Sequence, residues 1–184
     1  MINESKLKPQ VLLALGMILM AAFSRLIPHA WNFTAIAGMA LFAGAHLPNR
    51  WLAISVPLVA LFLSDLVLGL HSGMVFIYIP FLIIALASFS FLRNPAGKNA
   101  WMKIGFSSLA ASLFFFAFSN FGVWLSSGMY TRDMQGMITC YAMGLPFLGN
   151  QIVGDLFFSG VLFGLLQVAS ALLKNSVSDS SRAL

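Results

Sequence analysis

Six apolar runs occupy most of this chain, at about Val11–Ile27, Phe33–Leu47, Trp51–Leu70, Met74–Leu92, Met102–Leu125 and Ile152–Leu173. A bilayer core about 30 Å thick takes about 20 helical residues at 1.5 Å each, so runs of this kind predict transmembrane helices before anything else. The Lys and Arg residues then set the orientation. With both termini in the cytoplasm, Lys6, Lys8, Arg50, Arg93, Lys98, Lys103, Lys174 and Arg182 lie inside, and only Arg25 and Arg132 lie outside. Such a bias in short loops is what orients helices in a membrane. The expected fold is all-α: an integral membrane bundle of six transmembrane helices with both ends cytoplasmic. It occupies residues 1–174 as a single domain, with residues 175–184 as a Ser-rich, disordered cytoplasmic tail.

Composition agrees. The chain is 60% hydrophobic and 8% charged, with a mean hydropathy of +0.92, outside the range of a soluble domain. Its 184 residues leave no room for a second domain beside six spans. The net charge of +5 is scattered over loops beside apolar runs, which argues against nucleic-acid binding and for a multi-pass membrane protein. A single cysteine, Cys140, excludes an intrachain disulfide and a Cys-cluster metal site. No cofactor or resident metal is expected.

Local chemistry marks the turns. Pro28 ends the first run, Pro48-Asn49-Arg50 makes a tight turn, and Arg93-Asn94-Pro95-Ala96-Gly97-Lys98-Asn99 is the clearest loop. The second run is short and rich in Ala and Gly, so it is expected to pack among helices rather than face lipid. Ser126–Asn150 reads as an outer segment in which Met134, Met137, Ile138, Tyr141 and Leu145 recur at roughly helical spacing. It is either a mobile cap over the outer face or a plain interfacial anchor.

Ionisable groups at membrane depth are costly unless paired or wet, so each is a functional candidate. They gather at the outer side: Arg25, His29, Asn32, Asp65, His71, Asn120, Trp124 and Asp155. This asymmetry predicts one outward-facing polar cavity, with Asp65, His71, Asn120, Trp124 and Asp155 at its wall. The plainer readings stand beside it. Arg25 can lock helices by pairing with Asp65 or Asp155, Asp155 can cap the sixth helix, and the Trp residues can belong to interfacial belts. With no HExxH, phosphate loop or nucleophile-base pair in the chain, catalysis is not expected.

Ser24-Arg25-Leu26-Ile27-Pro28-His29, Asn32-Phe33-Thr34, Ala40–Ala45, Ser64-Asp65-Leu66-Val67-Leu68-Gly69, Leu145-Pro146-Phe147 and Gly154-Asp155-Leu156 resemble a family of uncharacterised bacterial membrane proteins of this length. In size, number of apolar runs and the closing Gly-Asp-Leu helix, the chain also resembles the substrate-binding S-components of energy-coupling factor (ECF) vitamin importers. That resemblance implies capture of a vitamin-like small molecule near the outer face and delivery inward, with an ECF-type transmembrane and ATPase module as partner. It allows a cobalamin-type ligand, for which His29, His71 or Cys140 would supply an axial donor. The Ala-xxx-Ala pair that docks the transmembrane partner is missing from the first run, where Ala14 precedes Ile18, and the nearest small-xxx-small pair is Ala40 and Gly44. A solitary S-component is therefore the other form the resemblance allows. The rival reading is a structural or assembly membrane protein without ligand, and behind it an intramembrane enzyme.

Overall fold

A computed structural model describes residues 9–27, 32–70 and 72–182. Among these the regular structure is entirely helical: α1 (Pro9–Phe23), α2 (Ile36–His46), α3 (Arg50–Leu68), α4 (Val75–Phe91), α5 (Ala100–Ser126) and α6 (Met134–Arg182). Short 3-10 turns at Ser24–Leu26 and Ser72–Met74 follow α1 and precede α4. Three of the helices, α3, α5 and α6, are long and apolar enough to cross a membrane. Large side chains on their outer faces and on α4 point away from the bundle, with Phe91 88% exposed, as expected where the surroundings are hydrocarbon rather than water.

α2 organises the bundle. Its residues Ile36 to Ala45 are all buried, the signature of a helix enclosed by others. Ala and Gly make this possible because they bring backbones close. A Cβ on Gly44 would lie 2.5 Å from the Ala85 carbonyl oxygen of α4, and one on Gly38 would lie 3.2 Å from the Ser159 amide of α6. The Ala40–Gly44 pair is thus spent on internal packing, not displayed to a partner. Phe42 fills the centre, edge-on to Phe163 at 5.3 Å. Pro48 pushes Leu47 to an extended conformation (φ −74°, ψ 143°) and so stops the helix. Arg93 then donates to the freed carbonyls of Leu47 (2.5 Å) and Gly44 (3.3 Å), and the Asn49 side chain caps α3 by accepting from the Leu52 amide at 2.9 Å. At 11 residues α2 is about 16 Å long, half the hydrocarbon thickness, so the helical part of the second run is shorter than the run itself, and non-helical residues on either side complete its course through the bundle.

The second departure concerns residues 126–173. The expected outer segment and sixth span form one helix of 49 residues that begins at Met134. Gly144, Pro146, Gly149 and Asn150 look like turn residues, but a proline removes one backbone bond, which neighbouring helices compensate, and the helix carries Pro146 inside it. Nothing from Leu165 onward is Gly or Pro, so the backbone stays helical past residue 173 to Arg182. The start of α6 is fixed instead by Asp133. Its carboxylate accepts from the Gly136 amide at 2.7 Å and from the Thr131 hydroxyl at 2.9 Å. The Gly136 bond, then Thr131, holds this fully exposed carboxyl below its usual range.

Candidate ligand cavity and its polar recess

The end of the bundle opposite the Arg93–Asn99 loop is hollow. A cavity of about 550 Å³ lies between the start of α4, the end of α5 and the first turns of α6. Its wall combines aromatic and thioether groups (Phe76, Phe115, Tyr130, Phe147, Met143) with the polar groups of Asn32, Ser119 and Asn120. Beneath it lies a recess of about 160 Å³, lined by Arg25, Asn32, Thr34, Gln151 and Asp155. Asn32, Ile77 and Phe115 line both spaces and so form their common boundary. Asn32 is held at φ 60°, a left-handed conformation that Asn tolerates better than most residues.

Asp155 is 2% exposed. Its Oδ2 accepts from the Ser112 hydroxyl at 2.6 Å, and Gln151, one turn earlier on α6, donates to the Ser112 carbonyl at 2.9 Å. Ser108 extends the polar contact toward Ser159, 3.4 Å away. Asp155 sits 21 residues into α6, counting from Met134, so it is no helix cap. Among the described residues it has no cationic partner within ion-pair distance.

Asp65 differs. Arg25 Nη1 lies 2.8 Å from Asp65 Oδ1, with the two side chains 12% and 9% exposed. The same guanidinium donates to the Leu61 carbonyl at 3.3 Å and to the Ser64 hydroxyl, while Tyr78 donates to Asp65 Oδ2 at 2.7 Å. Of the two partners open to Arg25, it takes Asp65, and the network ties the end of α1 to α3 and α4.

The expected single cavity wall is thus divided. Asn120 lines the large cavity, Arg25 and Asp155 line the recess, and Asn32 lines both. Asp65 stands behind Arg25, outside both linings. Trp124, expected beside Asn120, donates its Nε1 to the Thr131 carbonyl at 2.9 Å and braces the α5–α6 connection instead. His29 and His71 lie outside the described residues. Cys140 does line the large cavity, its thiol donating to the Asn120 carbonyl at 3.4 Å. A side chain at Gly144 would strike the Asn120 carboxamide, so this glycine leaves room for it. No group of three His, Cys, Asp or Glu side chains converges as a metal site among the described residues.

Sequence reasoning passed over Ser112, Gln151, Tyr78 and Phe115. The four-residue spacings of Ser108 to Ser112 and of Gln151 to Asp155 were the available signal, because such pairs share a helix face. Tyr78 carried none.

Against this geometry the wider comparisons add one fact. A family profile matches residues 5–177. The chain belongs to a family of unknown function (DUF6580). The match covers every residue that lines the cavity and its recess. No curated protein matches the chain, and no solved structure does, so no named relative stands behind the likeness to S-components.

Proposed function

We propose that the protein is a substrate-binding membrane subunit that captures a small, vitamin-like molecule at the outer face of a bacterial cytoplasmic membrane for uptake. The observation that carries this reading is the cavity of about 550 Å³ adjoining a recess with a buried carboxyl at its wall. Its size falls within the roughly 300–1,000 Å³ of small-molecule sites, and its lining has their usual character: mostly apolar and aromatic, with a few polar groups to orient the ligand. The 8:2 partition of Lys and Arg supports an arrangement in which both termini are cytoplasmic and the cavity opens outward. In that arrangement α1, α3, α4, α5 and α6 cross the bilayer, and the stretch from Asn32 to Asn49, with the shorter α2 at its centre, carries the chain back to the cytoplasmic side inside the bundle. The volume suits a molecule of a few rings better than a corrinoid, which is larger. Acting alone fits better than docking on an ECF module, because the small-xxx-small pair nearest to a docking motif is enclosed between α2 and α4.

A second reading has an observation of its own. Arg25 and Asp65 satisfy one another and Tyr78, which is all that a purely structural or assembly protein would ask of them. Mass spectrometry of small molecules released from the purified full-length chain separates the two. A stoichiometric compound that disappears in Asp155→Ala supports the binding subunit. A chain free of any such compound, from cells grown on rich medium, favours the structural protein.

A further inference from the structure

At the other end of the bundle, α4 and α5 leave a trough of about 300 Å³ between them. Ile83, Ala87 and Phe91 form one bank, and Ser107, Ala110 and Phe114 form the other. Both sets recur every three to four residues and so run as stripes along their helices. The trough exists because the middle residues are small: Ala87, Ser88, Ala110 and Ala111 leave a gap between the bulk of Phe91 and Phe114. From Ile83 to Phe91 it extends about 12 Å at 1.5 Å per residue, close to the depth of one leaflet's hydrocarbon, about 15 Å. It ends at the loop that joins α4 to α5. Arg93 follows Phe91 by two residues, Lys98 lies in the loop, and Lys103 precedes Ser107 by one helical turn. Arg93, Lys98 and Lys103 are all exposed, and the stretch from Arg93 to Lys103 contains three cations and no acid. The start of α5 adds the positive end of its dipole, and Asn99 places no side-chain cap on it.

We propose that this trough binds one anionic phospholipid, an acyl chain lying between α4 and α5 and the phosphate held by Lys98 and Lys103 at the start of α5. Apolar length and positive charge meet at one end of one groove, as a lipid with a negative headgroup requires. Arg93 is committed in part to the α2 carbonyls, so the two lysines are the residues to alter. The site is at the opposite end of the bundle from the ligand cavity and stands whether or not that cavity binds a vitamin.

The test is native mass spectrometry of the full chain released from nanodiscs containing phosphatidylglycerol and phosphatidylcholine with identical acyl chains. The wild type should retain one phosphatidylglycerol in preference to phosphatidylcholine. A cation near an anionic surface is worth about fivefold in affinity, so Lys98→Gln with Lys103→Gln should reduce that preference by about 25-fold. Ala110→Phe, which fills an exposed part of the trough without entering the core, should displace both lipids. Equal retention of the two lipids by the wild type, or retention unchanged in both variants, overturns the proposal. So does a wild-type dimer that Ala110→Phe dissociates, since the trough then holds a second copy of the chain.

Discussion

Arg25→Ala should destabilise the bundle by about 3 kcal/mol, because it leaves the Asp65 carboxylate buried with only the Tyr78 hydroxyl as partner. Removing one member of a buried ion pair costs about 3–5 kcal/mol, and the lower end applies here because Arg25 and Asp65 keep 12% and 9% of their side-chain surface exposed. For a chain of this size each kcal/mol moves the melting temperature by about 2–4 °C, which gives a loss of about 6–12 °C. The measurement is thermal unfolding in a mild detergent, followed by Cys140 reacting with a thiol-sensitive dye as the fold opens. Asp65→Ala should also destabilise, by freeing Arg25 and Tyr78 from their shared acceptor. The double variant should cost less than the sum of the two, by about 1–3 kcal/mol, since each single change strands a group that the other removes. A melting temperature unchanged in Arg25→Ala, or strict additivity in the double variant, would refute the reasoning. The ion pair would then be a surface contact of little consequence.

Three further outcomes are expected. Gly44→Val should cost about 1–3 kcal/mol or more by forcing α2 away from the Ala85 carbonyl of α4, read as a lower melting temperature, whereas Gly105→Val, with open space beside it, should change it little. Asp133 has a depressed folded pKa, so its stabilisation of α6 is complete above the unfolded carboxylate value of 3.8 and is lost as pH falls through the lower folded value; the gap in melting temperature between wild type and Asp133→Ala should therefore close on acidification below that range, and a gap independent of pH would reject the cap. Single cysteines placed at Gly97 and Gly128 in a Cys140→Ser background should label from opposite sides of the membrane, Gly97 from the cytoplasm and Gly128 from outside; the reverse pattern would overturn the outward-facing cavity.

Apolar periodicity was enough to place α3, α4 and α5 almost residue for residue, because in a bilayer each backbone polar group must bond within its own helix and long apolar runs leave no alternative. The same logic did not show how completely α2 is enclosed or where α6 starts. Ala and Gly residues do not show in sequence which neighbour they admit, and the close approach of Gly44 to α4 does. Around residues 144–150, Gly, Pro and Asn signal a turn, yet α5 packs beside that stretch. Tyr141 donates to the Ala117 carbonyl at 2.5 Å, and Cys140 donates to Asn120, contacts between helices that local sequence cannot display. At the site, the side of the bundle was legible from where polar residues fall along the apolar runs. Their division between two spaces was not, because it depends on which of two carboxyls Arg25 reaches across three helices.

That choice gives the two buried carboxyls different capacities. Asp65 has its oxygens filled by a guanidinium and a phenol, and both donors belong to the fold, so any ligand reaching it would first have to break the link between α1, α3 and α4. Asp155 accepts from the Ser112 hydroxyl through Oδ2 and from the Gln151 carboxamide, which also donates to the Ser112 carbonyl on α5. It faces a space of about 160 Å³ directly below the larger cavity. A carboxyl held by a hydroxyl and a carboxamide rather than a cation still has lone pairs to offer, and a buried one gains most from a donor that excludes water. If the chain binds a small molecule as proposed, the chemistry that fits is an apolar or aromatic body in the upper cavity with a hydrogen-bond donor directed down past Asn32 and Phe115. Arg25, already neutralised by Asp65, lines the same recess without imposing its full charge on what enters.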